Sequence, residues 1–197
     1  QGVHVEGRHY AGGWWDWLTP FSILTGCAVV AGYGLLGATW LVMKTTGELR
    51  EHAYRLSWWL LIATLIAIVA VSLATPFLQA EYWRRWFEWP NILFTAPIPV
   101  AVAAITLLLL RSLANKQDYR PFVLSLILFA ITYAGLGVSM YPYIVPQSVT
   151  IWQAAAPANS LNFMIFGVAV LVPIILIYTG WAYWVFRGKV DASSGYH

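Results

Sequence analysis

The sequence predicts an all-α integral membrane protein with five transmembrane helices. Five long stretches contain no charged residue and no histidine, and a chain this apolar needs a bilayer around it. The stretches cover residues 18–43, 56–78, 92–110, 121–140 and 161–186. Each is close to the roughly 20 apolar residues with which a helix crosses a hydrocarbon layer about 30 Å thick.

The composition supports the same fold class. Charged residues make up 10% of the chain and apolar residues 60%, and the mean hydropathy is +0.67. A soluble protein of 197 residues could not bury five such segments, because much of their surface would still meet water. No linker or low-complexity segment interrupts the chain, so we expect one membrane domain over residues 1–197.

The basic residues predict the orientation in the membrane. Lysine and arginine concentrate in alternate loops, which by the positive-inside rule face the cytoplasm. The predicted cytoplasmic residues are Lys44, Arg50, Arg55, Arg111, Lys116, Arg120, Arg187 and Lys189, against Arg8, Arg84 and Arg85 outside. The first helix then runs inward and the C-terminus is cytoplasmic. The net charge of +3 is spread along the chain, which gives no support to nucleic-acid binding.

Aromatic residues mark the ends of the predicted spans, with tryptophans at 14, 15 and 17 before the first. We interpret them as interfacial anchors, with stacking on a quinone ring as the alternative. Residues 81–89 predict a short helix in the headgroup layer with Trp83, Trp86 and Phe87 on one face, or else a surface for a partner. The uncharged loop at 141–152 is predicted to lie close to the outer surface.

The first apolar stretch carries the candidate helix-packing interface. Ser22, Gly26, Gly34 and Ala38 lie at multiples of four along one helical face, and small residues there let another helix approach closely. The run from Gly32 to Gly37 also matches the dinucleotide pattern G-x-G-x-x-G, but it falls inside an apolar helix and we consider it accidental. Cys27, the single cysteine, is predicted to be a small packing residue.

We predict no catalytic, cofactor-binding or metal-ligating residue in this chain. His4, His9, His52 and His197 lie outside the apolar stretches, and Met43, Met140 and Met164 lie near their ends, so haem ligation is not expected. Hydroxyl side chains inside the stretches are expected to bond back to helix carbonyls. Prolines 76, 97, 99 and 173 predict kinks, which transporters also use. Asp16 is expected to cap the first helix.

Two long segments resemble subunit II of the cytochrome bd family of bacterial quinol oxidases. One runs through Gly12–Ser22 and Ala31–Thr45, the other through Tyr141–Trp152 and Val172–Trp184. The resemblance implies an eight-helix subunit with both termini cytoplasmic, of which this chain would hold the last five helices. The chain begins at Gln1 without methionine or a signal peptide, and we expect truncation, because three earlier crossings would place Gln1 outside.

The resemblance also implies a function in the bacterial cytoplasmic (inner) membrane. The family's complex oxidises ubiquinol or menaquinol and reduces oxygen to water, drawing protons from the cytoplasm. Its haems b and d and its quinol-oxidising loop belong to the haem-bearing subunit I, a small third subunit often accompanies them, and proton-delivering acids of subunit II lie in its early helices. We therefore expect a non-haem scaffold and proton-path partner that contacts subunit I, lipid and quinol, with a bound quinone as an open alternative. The competing hypothesis is a fragment of a secondary transporter.

Overall fold

The computed structural model describes residues 5–6, 9–78, 80–146 and 148–189, and most of these residues are helical. The helices are α1 (Pro20–Lys44), α2 (Gly47–Leu78), α3 (Ala80–Phe87), α4 (Ile92–Thr95), α5 (Pro97–Ala114), α6 (Arg120–Met140), α7 (Ile151–Ala154) and α8 (Ala158–Val185). Within the described residues, five helical spans are long and apolar enough to cross a membrane, α4 and α5 together forming the third. The predicted fold class is confirmed.

Two short antiparallel hairpins lie between or before the helices. Strands β1 (Val5–Glu6) and β2 (His9–Tyr10) pair ahead of α1. Strands β3 (Tyr143–Val145) and β4 (Val149–Thr150) pair in the loop between α6 and α8, with Tyr143 opposite Thr150. This second hairpin gives the predicted outer loop a defined shape.

Several predicted helix ends differ from the structure by a few residues, and two features of the helices were not predicted. The second helix begins at Gly47, not at residue 56, because the charged segment that follows Gly47 continues the helix and buries Ala53 and Tyr54. Gly47 has φ +64°, a left-handed backbone conformation that glycine adopts without steric cost. The third span divides at Ala96, before Pro97, whose nitrogen cannot donate a helical hydrogen bond.

Four of the spans form a bundle whose tightest packing lies towards one end. Helix α1 packs against α2 and α6, and α5 packs against α6. The buried apolar side chains are Leu35, Val42, Ala53, Tyr54, Leu61, Leu109, Leu113 and Leu128. They come from the second half of α1, the first half of α2, the end of α5 and the middle of α6. The core therefore lies towards the end predicted to be cytoplasmic, which holds residues 44–47 and 115–119.

The first helix begins with a different cap from the one predicted. The Thr19 hydroxyl accepts from the Ser22 amide at 3.1 Å, and the Ser22 hydroxyl accepts from the Thr19 amide at 2.9 Å. Such a reciprocal capping box satisfies two amides of the first helical turn. The prediction that Asp16 caps this helix is wrong, because its carboxylate accepts instead from the Gly13 amide at 2.8 Å and the Tyr10 hydroxyl at 3.1 Å.

Asp16 fixes the turn that carries the three tryptophans ahead of α1. The Tyr10 hydroxyl also lies 2.9 Å from the Gly13 carbonyl, so the turn is tied at two points. A Cβ added to Gly12 would overlap both the Asp16 carboxylate and the Tyr10 hydroxyl. Trp14 is 93% exposed, and Trp15 and Trp17 are also exposed. The turn thus presents three rings outward, as interfacial anchors require.

Helix α3 turns one face to the end of α6 and the other away from the protein. The Arg85 guanidinium donates to the carbonyl oxygens of Val138 and Ser139 at 3.1 and 3.3 Å, and the Trp86 indole donates to the Ser139 hydroxyl at 3.0 Å. Trp83 and Phe87 form an exposed ring pair 4.7 Å apart. The predicted short helix forms, and Trp86 lies at the edge of the predicted aromatic face, where its indole nitrogen binds α6 while Trp83 and Phe87 stay exposed.

Candidate helix-packing site

The four residues of the candidate interface lie in two different environments along α1. Gly34 faces α2, where an added Cβ would lie 3.0 Å from Leu60 Cδ2, and Ala38 is buried. Gly26 has no atom within 4 Å of the position its Cβ would take, and the Ser22 hydroxyl is engaged in the capping box. The close approach of α1 and α2 at Gly34 uses the missing side chain directly, as in other small-residue contacts between membrane helices.

Beyond Gly34, an apolar groove opens along α1 towards the predicted outer end. It has a volume of about 520 Å³ and is lined by Ile23, Gly26, Cys27, Val30, Ala31 and Leu60. Cys27, expected to be a packing residue, is exposed on this wall. Val30 is 73% exposed although it is apolar. The predicted face is therefore covered by α2 at Gly34, buried at Ala38 and open at Gly26.

A buried pair of hydroxyls joins α1 to α6. Thr39 Oγ1 lies 2.9 Å from Ser125 Oγ, and both side chains are buried. Thr39 also lies 2.8 Å from the Leu35 carbonyl, and Ser125 lies 2.8 Å from the Phe122 carbonyl. Since each hydroxyl has one proton, one of the two donates to the other across the helices while that other donates to a carbonyl of its own helix. The sequence singled out both residues only as members of a larger set of hydroxyls.

Most other hydroxyls in the spans bond to their own helix, which confirms that prediction. The acceptor is the carbonyl four residues earlier for Ser57, Thr64, Thr75 and Thr132, at 2.7–2.8 Å. The Thr106 and Ser112 hydroxyls are buried and have no hydrogen-bond partner among the described residues. The bundle interior therefore contains local helix bonds and one cross-helix pair of hydroxyls, Thr39 and Ser125, in the described part of the chain.

Aromatic rings line the other side of α1. The centres of the Tyr33 and Phe129 rings lie 5.3 Å apart. Gly32 also lies beside Phe129, because a Cβ added to Gly32 would be 3.6 Å from that ring. Further along, the Trp40 ring meets Phe122 at 5.0 Å and Tyr183 at 5.6 Å, both nearly edge to face. Trp40 is thus the point where α1, α6 and α8 meet. Such edge-to-face geometry is favourable for aromatic pairs.

Helix α8 contacts the bundle at one end only. None of its residues is buried, and Phe163 and Ile177 are 82% and 73% exposed. Apart from Tyr183 on Trp40, the contacts come from just beyond the helix, where the Phe186 carbonyl accepts from Lys44 Nζ at 2.6 Å. A wholly apolar helix left open in this way offers a large surface to lipid or to another membrane segment.

An ion-pair cluster ties three parts of the chain together at the predicted cytoplasmic end. The Asp118 carboxylate accepts from the Arg50 guanidinium of α2 and, at 2.5 Å, from Lys189 Nζ beyond α8. The hydrogen bond from Lys189, followed by that from Arg50, holds the pKa of Asp118 below its usual value. Lys116 pairs with Glu51 at 2.7 Å. The sequence analysis missed this role of Asp118. The one indication in the sequence is that Asp118 is the single acidic residue in a loop whose other charged residues are basic.

The described residues do not fit a haem or a metal ion. Among them, no three histidine, cysteine, aspartate or glutamate side chains come together. Of the candidate axial ligands, His52 and Met164 are exposed, while Met43 and Met140 lie at opposite ends of the bundle. An axial ligand has to face a pocket that holds the macrocycle. His4 and His197 lie outside the described residues.

Comparison with known proteins gives the chain a family context. A family model described as cytochrome bd terminal oxidase subunit II matches residues 1–186. The chain is 30% identical to cytochrome bd-I ubiquinol oxidase subunit 2 of Escherichia coli (strain K12), over 92% of this chain and 56% of the relative. Identity to the probable cytochrome oxidase subunit 2 of Haemophilus influenzae is also 30%, over 93% of this chain and 56% of the relative.

A more distant relative agrees with these two. Cytochrome bd ubiquinol oxidase subunit 2 of Bacillus subtilis (strain 168) is 23% identical, over 89% of this chain and 52% of the relative. The chain spans about half the length of the curated relatives it matches. These relatives give no support to the transporter alternative.

Proposed function

Because this chain belongs to the family of cytochrome bd terminal oxidase subunit II, we propose that it is part of a bacterial terminal quinol oxidase. The family match over all five spans is the observation that carries the proposal. In such a complex, quinol oxidation is coupled to reduction of oxygen to water. The chain would act there as a multi-pass subunit of the inner membrane with its C-terminus in the cytoplasm.

Within the complex, this chain would serve as a scaffold that carries no haem. The haems b and d would be held by the haem-bearing subunit I, and they supply the oxygen and electron chemistry when bound. What supports this division is the character of the charge-free stretches: they hold no acid or base, and their hydroxyls bond mainly to their own helices. Such side chains pack helices and keep water out without adding a charge to the membrane interior.

The chain would therefore contribute to catalysis by providing a dry, low-dielectric environment for the adjacent subunit. Tightly packed apolar side chains around Leu35, Leu61 and Leu109 exclude water, and electrostatic interactions are stronger in such a low dielectric. An adjacent subunit would be shielded from lipid on the side where this chain packs. The proton-path role that we attach to the subunit would lie with acids outside the five charge-free stretches, because those stretches hold hydroxyls and no acid.

We propose Ser22, Gly26, Gly34 and Ala38 as the helix-packing face of α1, used in two ways. Gly34 and Ala38 would pack on α2 within the chain. Gly26 and the groove beside it would receive a helix of the haem-bearing subunit or a further helix of the same subunit. A bound quinone tail is the alternative occupant. A small third subunit and the surrounding lipid would cover part of the remaining apolar surface.

Affinity purification from native membranes tests the proposed function. The full-length tagged protein should co-purify with a larger subunit, and the complex should show haem absorbance and oxidise quinol with oxygen uptake. Loss of the co-purifying subunit should remove the pigment. A colourless chain that purifies alone from native membranes, with no oxidase activity in the fraction, would contradict the proposal.

A further inference from the structure

The contact between α1 and α8 brings Lys44 to the backbone just before Arg187, at the predicted cytoplasmic end. Lys44, the last residue of α1, donates to the carbonyl of Phe186 at 2.6 Å, and Arg187 follows in the chain. Lys44 Nζ also lies 5.2 Å above the Trp40 ring, and the Arg187 guanidinium lies 4.7 Å above the Trp184 ring. Each cation is thus positioned by a tryptophan in the zone where helices leave the hydrocarbon.

Neither cation forms a salt bridge with a carboxylate among the described residues. The salt bridges there join Arg50 and Lys189 to Asp118, Lys116 to Glu51 and Arg84 to Glu88. Asp118, the acid near the end of α8, is already shared by two cations. Among the described residues, two of the three Lys44 donors and the edge of the Arg187 guanidinium have no further acceptor. Within this part of the chain, the positive charge at this point therefore has no anionic partner.

The space beside these cations is apolar and continues along α8. Tyr183 touches Trp40, but the residues that precede it on the same helical face are exposed, including Leu176 at 65%. The contact therefore closes one end of the space between α8 and the bundle, and the exposed apolar face of α8 borders the rest of this space, which we call the cleft. A ligand that fits must carry an anionic group at one end and a long apolar body at the other.

We propose that Lys44 and Arg187 bind the phosphate of an anionic phospholipid whose acyl chains lie in the cleft beside α8. Basic groups between membrane helices at the cytoplasmic side suit such headgroups, and the guanidinium fork matches phosphate oxygens. Free phosphate would satisfy the charges but not the apolar cleft, so the lipid is the fitting ligand. The site requires only that the chain is in a membrane, and it does not depend on the oxidase function.

Native mass spectrometry of the intact complex tests the site. The detergent-purified complex is stripped of loose lipid and titrated with phosphatidylglycerol or with phosphatidylethanolamine of the same acyl chains. We expect one phosphatidylglycerol to bind in preference, and the K44Q/R187Q double variant to bind it roughly tenfold or more weakly. The charge-preserving K44R/R187K variant should keep the binding. The charge-matched R55Q/R111Q variant, on α2 and α5, should also keep it.

Equal binding of the two lipids, or unchanged binding in K44Q/R187Q, would overturn the proposal. A photo-crosslinking amino acid in place of Leu176 identifies what occupies the cleft in native membranes. An adduct with phospholipid supports the site, whereas an adduct with a protein helix shows that another membrane segment fills the cleft and overturns it. Binding of inorganic phosphate with no retained lipid would likewise overturn it.

Discussion

The hydroxyl oxygens of Thr39 and Ser125 lie 2.9 Å apart in the buried contact between α1 and α6. Their residues are separated by 86 positions in the chain, so the pair exists only when the bundle has formed. In a membrane, where apolar side chains gain little by leaving lipid for protein, such polar contacts help to specify which helices associate. The pair therefore bears on assembly as well as on stability.

Ser125→Ala should destabilise the protein by roughly 0.5–1.5 kcal/mol, because it removes the partner of the Thr39 hydroxyl. Ser112→Ala is the matched control: that serine is equally buried, but its hydroxyl has no partner among the described residues. We expect the control to be neutral or slightly stabilising. Thermal unfolding of the purified complex, followed by intrinsic fluorescence, measures both. Equal losses from the two variants would contradict a specific role for the pair.

Gly34→Leu should disturb the packing of α1 against α2. The added side chain would meet Leu60, whose Cδ2 would lie 3.0 Å from the new Cβ, and overpacking of this kind costs about 1–3 kcal/mol. Gly37→Leu is the control, since no atom lies within 4 Å of that position. Yield of assembled complex and its melting temperature are the measurements. The contact is not important if Gly34→Leu assembles and melts like Gly37→Leu.

Asp118→Asn should release the segment beyond α8 from the bundle and lower the melting temperature slightly. Partly exposed ion pairs contribute about 1 kcal/mol or less, and here one carboxylate serves two cations. Because the folded pKa of Asp118 is lowered, its contribution is fully present above the ordinary carboxyl pKa of about 3.9 and disappears as the pH falls through the lowered value.

The difference in stability between wild type and Asp118→Asn should consequently stay constant from about pH 8 to pH 5. Melting curves of both proteins over that pH range test whether the stability difference depends on pH in this direction. A difference that already shrinks between pH 7 and pH 5 would mean that the pKa of the carboxyl is raised above its ordinary value, and the two bridges would then not be formed in solution.

Asp16→Ala should loosen the turn that carries Trp14, Trp15 and Trp17. The variant removes the acceptor for the Gly13 amide and the Tyr10 hydroxyl, while Asp16→Asn keeps an oxygen in nearly the same place. Hydrogen exchange of the peptide over residues 10–18 should become faster in Asp16→Ala and change little in Asp16→Asn. Exchange in α3 serves as the internal control. Similar exchange in both variants would show that the turn is held by other contacts.

Much of the fold could be predicted because it depends on local properties. The lengths of charge-free stretches match the hydrocarbon thickness, so the five spans follow from hydropathy alone. The Thr19 and Ser22 capping box also depends on neighbours three residues apart, although the predicted cap was Asp16 instead. The boundaries of α2 and the break at Ala96 were harder to place, because charge defines the membrane span while hydrogen bonding defines the helix.

The contacts between helices could not be predicted in the same way. The sequence determined that this protein spans a membrane and that its spans offer hydroxyls instead of charges. Only the tertiary structure decided that Thr39 meets Ser125, that Trp86 faces α6 while Trp83 does not, and that Asp118 binds Arg50 and Lys189, 68 and 71 positions away. Lipid is as apolar as leucine, so residues that face lipid and residues that face another helix have the same hydropathy, and only packing distinguishes them.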